Sequence, residues 1–333
     1  MIKILTDRNK SIPLYHLNPP RFPKNSVPGR NFFDTSMKYN KSALDFPNLL
    51  AELVSDGLTV NNPVAATHFL NNVSYFRFDS YLRVFEDSAT PRHFKAGATF
   101  EQAAMIYSFD AELRSLLFSA IQKIEISLRS RIIHQFSLAH GPFWFYEPAL
   151  AVDKHKFADN LSTLEREFKR SKEDFIGEHK KKYGDNDYPP AWKMLELASF
   201  GTLTKLYYNF SDTKVKKLIA RSFGVTKPTA LESWMMVINT LRNNCAHHSR
   251  VWNRKYIMLP QIPKQLPNKW LKNTDIAIDR SYAIFCCLAY WLNAVNPKNT
   301  FQSDFKILLA KYPTVDPSAM GFPIGWNKEK LWC

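Results

Sequence analysis

The chain has 333 residues, with 45 Lys and Arg against 30 Asp and Glu, and carries a formal net charge of +15. Apolar residues make up 45% and charged residues 23%, proportions of a globular protein rather than a disordered one. Only 10 glycines occur, and neither G-x-G-x-x-G nor G-x-x-x-x-G-K-S/T is present, which disfavours glycine-rich nucleotide folds.

Residues 1–36 look foreign to the rest of the chain. Pro13, Pro19, Pro20, Pro23 and Pro28 interrupt them and no helical period runs through them. They read as a disordered arm or as an upstream start that is not native, with Met37 a second plausible start. Residues 37–98 read as an N-terminal helical extension. Phe46–Gly57 is a short helix stopped by Gly57, and Asn61 and Asn62 before Pro63 cap a helix through Asn71. Tyr75–Phe85 is dense in aromatics and fits strand or helix, its side chains forming a core-facing cluster; Pro91–Thr99 is a loop.

Residues 99–333 read as a helical bundle with a C-terminal tail. Thr99 caps a long amphipathic helix from Phe100 to about Ala139, ended by Gly141 and Pro142. Leu113, Leu117, Ile121, Ile124, Leu128 and Ile132 fall at three- and four-residue steps and form its packing stripe. Asp153–Glu178 reads as one charged helix, followed by a basic-then-acidic loop that begins His179-Lys-Lys-Lys. Short helices follow at Trp192–Ser199, Leu203–Phe210 and Lys214–Phe223. Another opens at Pro228 or Thr229 and continues to about Asn253. Helices at Ser281–Val295 and Gln302–Ala310 precede an irregular tail, Pro313–Cys333. The predicted class is all-α, long antiparallel helices around one core.

Four cysteines, Cys245, Cys286, Cys287 and Cys333, form no C-x-x-C pair and no disulfide framework, which fits a reducing compartment. Met1–Lys10 lacks the apolar core of a signal peptide, and Ser281–Val295 is too short to span a bilayer. A cytoplasmic protein is expected, with no membrane partner. The excess positive charge suggests a polyanion, nucleic acid first.

The run that carries chemistry is Leu241–Arg254, L-R-N-N-C-A-H-H-S-R-V-W-N-R. On a helix at about 100° per residue, Trp234, Ile238, Leu241 and Cys245 share the packing side. Asn239, Asn243, His247 and Arg250 fall opposite, with Arg242 at the border. His248 turns back toward the packing stripe as a structural hydrogen-bonder. Asn, His and Arg on one face suit an RNA phosphodiester. Histidine moves protons near neutral pH, arginine holds phosphate and follows its growing charge, and RNA supplies its own 2′-hydroxyl nucleophile. Attack there leaves a 2′,3′-cyclic phosphate and a 5′-hydroxyl, and calls for no metal or cofactor. Three other readings stay open: zinc on Cys245, His247 and His248 without a fourth ligand; a Cys245/His nucleophilic pair; and a polar helix end that only caps and solvates.

The segment resembles the R-x₄₋₆-H motif of HEPN ribonucleases, with Asn243 in the polar second position those enzymes favour. The wider string R-N-x-C-A-H-H-x-R-x-W-N is similar to the Abi-like abortive-infection family (AbiD/AbiF-like). Gly57, the Asn71–Tyr81 stretch, Phe109-Asp-Ala-Glu-Leu-Arg114, Ile124-Glu-Ile-Ser-Leu-Arg129, Ser199-Phe-Gly-Thr-Leu203 and Met320-Gly-Phe-Pro323 through Trp332 resemble it too, so the likeness covers about Met37 to Cys333. The bare motif also matches Arg129–His134, read as an accident or a degenerate second half-site.

The resemblance implies a HEPN-type helical bundle in antiphage defence, acting as a metal-independent endoribonuclease. His247 would be the general acid/base, Arg242 the phosphate binder and Asn243 the positioning group, with His248 and Arg250 secondary. Arg254, Lys180, Lys181 and Lys182 are the further RNA contacts expected from charge. One good motif per chain implies a homodimer with a shared cleft. The alternative is a non-catalytic RNA-binding scaffold, or a toxin held by a small noncoding RNA; a helical protein-interaction module is a third.

Overall fold

The structure, a computed structural model, describes residues 42–89 and 91–333. The readings of residues 1–36 and of Met37 lie outside these residues. Among them the fold is all-α, with twelve α-helices, short 3-10 turns and one two-stranded hairpin. None of these helices is long and apolar enough to cross a membrane. The chain forms two compact units, one through Tyr107 and one from Ser108.

In the first unit, α1 (Phe46–Ser55) starts on Asp45, whose carboxylate accepts from Asn48 N at 2.9 Å. It ends just before Gly57, which takes φ +93°. α2 (Pro63–Asn72) is capped by Asn62, as expected. The aromatic stretch resolves as helix α3 (Tyr75–Leu82) and a 3-10 turn, Arg83–Phe85, with Tyr75, Phe78, Tyr81 and Leu82 buried. The segment expected to be a loop contains β2 (Arg92–Phe94), antiparallel to β1 (Glu86–Ala89). The reason is Arg92. Its side chain is nearly out of solvent and meets Asp79 at 3.0 Å, Glu86 at 2.8 Å and the Tyr75 hydroxyl. A buried guanidinium needs such partners, and pairing the two short strands brings them together.

α4 (Phe100–His140) starts in the first unit with a capping box. Thr99 Oγ1 accepts from Gln102 N, and Gln102 Oε1 accepts from Thr99 N. Its 41 residues give a rod of about 60 Å, most of it in the second unit. There the predicted stripe from Leu113 to Ile132 is buried throughout. The expected charged helix is two helices, α5 (Lys154–Arg170) and α6 (Asp174–Tyr183), so Lys180–Lys182 sit in a helix and not in a loop. The next elements are α7 (Ala191–Met194), α8 (Phe200–Asn209), α9 (Thr213–Ser222) and α10 (Pro228–Ala246). After a long connection come α11 (Ser281–Val295) and α12 (Phe301–Lys311). α10 packs against α8, α9 and α11, and α5 packs against α8. Every residue of α11 from Ser281 to Leu292 is buried, which explains its uniformly apolar sequence.

The C-terminal segment is irregular, as expected, with two 3-10 turns, but it is packed and not loose. Trp332 is fully buried, and its ring lies 5.2–6.1 Å from those of Trp326, Phe305, Phe322 and Tyr282. Aromatic side chains of this size cover enough surface to pin a segment that has little regular hydrogen bonding.

Candidate functional site

The C-terminus of α10 builds the site. Trp234, Ile238, Leu241 and Cys245 are buried along its inner side, as the projection requires. The projection fails beyond Ala246, where the helix stops seven residues short of Asn253. His247 is the C-cap. Its N–H still donates to Asn243 O at 2.9 Å, which places it one turn above Asn243, and its side chain is exposed. His248 then takes φ +54°. Its N–H reaches Cys245 O and that of Ser249 reaches Asn244 O, at 3.1 and 2.8 Å, the paired bonds of a Schellman stop. Glycine usually holds that position. Here an exposed histidine does, so His248 does not lie in the packing stripe as the helical projection required.

The chain after the stop is held from below. Asp110 on α4 is fully buried, and its carboxylate accepts from Val251 N at 3.1 Å and Trp252 N at 2.7 Å. The Arg114 guanidinium pairs with the same carboxylate. Ser281 Oγ donates to Val251 O at 3.0 Å, and Trp252 is buried. Asn253 has φ +50°, and its side-chain oxygen accepts from Arg280 at 3.0 Å. Arg250 is therefore on a loop and not on the helix face, and Arg254 Nη1 donates to its carbonyl at 3.2 Å. The Arg254 guanidinium lies 5.9 Å from the centre of the Tyr256 ring.

Arg242 is half-buried between α10 and α4. Its Nη1 donates to Asn243 Oδ1 at 3.4 Å, and its Nε lies 3.8 Å from Glu125 Oε2, too far for a hydrogen bond. The guanidinium stands 5.9 Å from the Phe118 ring centre. Its donor fork is oriented but not saturated. Arg129 differs: it meets Glu125 at 3.2 Å, Ala198 O at 2.9 Å and Glu196 at 3.4 Å. Its bonds tie α4 to the turn before α8, which makes it a structural arginine. His134, the other end of that second match, is exposed on α4. One carboxylate, Glu125, thus serves both arginines.

α8 comes close to α10 here. A side-chain carbon at Gly201 would sit 3.6 Å from the Asn239 amide, and Ser199 caps the helix by accepting from Thr202 N at 3.1 Å. The strings Phe109–Arg114, Ile124–Arg129 and Ser199–Leu203 therefore all converge on the α10 terminus, within the span 68–253 that matches the Abi-like protein family. The chain belongs to that family. No curated protein and no solved structure matches it. The matched span of this Abi-like chain closes at Asn253, so α11, α12 and the buried tail lie outside it.

Glu125, Asp110 and Phe118 had no role in the sequence reading, though a signal for Asp110 was present. It lies three residues before Leu113, so an acid heads an otherwise apolar stripe, with Arg114 one turn on. Glu125 likewise precedes Arg129 by one turn.

The remaining candidates separate. Lys180 is half-buried, its ammonium donating to Phe168 O at 3.0 Å and sitting 4.7 Å from the Phe168 ring centre, so it caps α5 instead of facing a phosphate. Lys181 and Lys182 are exposed. Burial pushes the Cys245 thiol up to about 12, which removes it as a nucleophile at neutral pH. Among the described residues no three His, Cys, Asp or Glu side chains are grouped to hold a metal ion.

Proposed function

We propose that this Abi-like protein is an antiphage factor acting on RNA, a HEPN-type endoribonuclease that cleaves by 2′-hydroxyl attack. One observation carries the reading: Arg242, Asn243 and His247 stand together at the exposed end of α10, with the Arg242 fork reaching Asn243, near Glu125, yet open to a further acceptor. A phosphate can take that fork in two charge-assisted bonds, and the same bonds strengthen as charge grows on its oxygens. As the 2′-oxygen bonds to phosphorus, its proton passes to a base; as the P–O5′ bond breaks, the leaving oxygen takes a proton from an acid. His247, exposed and free of packing duty, serves one of these transfers.

One chain supplies one such histidine, so a homodimer with two-fold symmetry would supply both. Ile257, Met258 and Leu259 form an exposed apolar run next to α10, where Thr240 Oγ1 meets Met258 Sδ at 3.7 Å, and offer a surface for the second copy.

The contact between Arg242 and Glu125 also favours a second reading. An arginine half-neutralised at rest suits a scaffold or an RNA-held toxin that grips a small noncoding RNA without cutting it. The test is cleavage of single-stranded RNA by wild type, His247→Ala and Arg242→Ala. A loss of roughly 10²–10⁴-fold in each variant is expected for the nuclease. Wild-type rates in both variants would remove it, and RNA that co-purifies uncut would favour the scaffold.

A further inference from the structure

A second cleft lies where the segment Pro142–Tyr146, the end of α6 and the start of α7 meet. It encloses about 690 Å³, and its wall is aromatic: Phe143, Tyr146, Tyr183, Tyr188 and Trp192. Burial removes most large rings from water, yet Tyr183 and Trp192 remain 53% and 52% exposed, and Phe143 and Tyr146 42% and 39%. Their neighbours hold them in place. The Tyr183 ring centre lies 4.8 Å from that of His179, and His179 Nε2 is 2.9 Å from Asp187 O. Tyr146 lies 5.6 Å from Tyr188, ring centre to ring centre.

The polar part of the wall consists of His179, Asn186 and Asp187, and no lysine or arginine lines it. A carboxylate and an amide with no lysine or arginine beside them do not suit a phosphate. They suit the N–H edge of a planar heterocycle that stacks on the exposed rings. A cation stands at the rim: Lys182 is exposed, and its ammonium lies 5.1 Å from the Tyr183 ring centre.

A chain of side-chain contacts leads from the cleft toward Arg242. Trp192 lines a neighbouring cleft of about 540 Å³ together with Ser130, His134 and Glu196. Glu196 meets Arg129, and Arg129 shares Glu125 with Arg242. We propose that the aromatic cleft holds an unpaired base of the bound RNA, its phosphate following Lys182 at the rim. The proposal rests on the RNA reading above and adds a place where single-strandedness is sensed.

The experiment measures fluorescence anisotropy of the full chain with three labelled probes: a short unstructured RNA strand, an abasic strand of equal length, and a blunt RNA duplex. Wild type should bind the base-bearing strand best. Trp192→Ala and Tyr183→Leu should each weaken that binding roughly tenfold, toward the abasic value, with the salt slope unchanged, while Trp192→Phe keeps most of it. Both side chains are more than half exposed, so truncation leaves the core closed, and a melting curve for each variant checks this. Unchanged affinity in both variants, or an equal loss on the abasic strand, overturns the cleft alone. Wild type that binds neither strand overturns the RNA reading with it, and a cleft that instead accepts a peptide would leave all three probes insensitive to Trp192→Ala.

Discussion

Replacing Asp110 with alanine removes the buried carboxylate that accepts from Val251 and Trp252 in the chain after α10. The carboxylate is fully excluded from solvent, accepts from two main-chain N–H groups and pairs with Arg114, whose side chain is 7% exposed. Breaking a buried ion pair by deleting one partner costs about 3–5 kcal/mol, and each stranded N–H costs about 1–3 kcal/mol. These costs overlap, because loop and arginine relax together, so the expected loss is about 4 kcal/mol. For a unit of this size that lowers Tm by roughly 8–16 °C. Asp110→Asn keeps the shape and one acceptor oxygen, and should lose about half as much. Urea and thermal unfolding of the full chain measure both. The loop begins directly after His247, so cleavage should also fall in samples that are still folded. A loss below about 1 kcal/mol in Asp110→Ala would refute the anchoring role.

His248→Gly should stabilise the protein by about 1 kcal/mol, seen as a higher Tm, because glycine adopts φ +54° without strain; His248→Ala should bring no such gain. The hydrogen bond from Lys311, then that from Tyr312, holds the Glu112 carboxyl below its ordinary value. A depressed carboxyl contributes stability above its unfolded pKa, and that contribution is lost as pH falls through the folded value. Tm should therefore drop more steeply below about pH 4.5 in wild type than in Glu112→Gln, and parallel curves would contradict the linkage. RNA affinity should fall with salt by about 0.7 in log K per log[salt] for each phosphate contacted, and removing Arg250 or Lys181 should reduce that slope. Light scattering should give twice the 38.7 kDa chain mass.

Local signals carried much of the fold. Asn62 with Pro63, Thr99 before Phe100, and the apolar run Ser281–Val295 each marked an element whose bounds hold to within a residue or two. Where a helix ended unseen, no breaker residue marked the stop. Nothing between Leu241 and Arg254 is glycine or proline, so a helix ending at Ala246 was invisible; His248 in a left-handed turn, and Asp110 binding the loop beyond, bring it about. Ser171–Glu173 likewise separates α5 from α6 with no breaker. The hairpin depends on Arg92 meeting both Asp79 and Glu86, which no periodicity reveals. At the site, spacing placed Asn243 one turn before His247, which is where the end of α10 holds them. It could not show that Lys180 caps α5, or that Glu125 lies beside Arg242, because both depend on which helices become neighbours.

The central claim is that RNA provides the nucleophile beside a phosphate held by Arg242. The most direct measurement maps the preferred cut in a short RNA, replaces the single 2′-hydroxyl on its 5′ side with hydrogen, and reads product ends by mass spectrometry. The account predicts a 2′,3′-cyclic phosphate and a 5′-hydroxyl from the unmodified strand and no cut at the deoxy position. Cleavage there at the normal rate, or products ending in a 5′-phosphate, would contradict it.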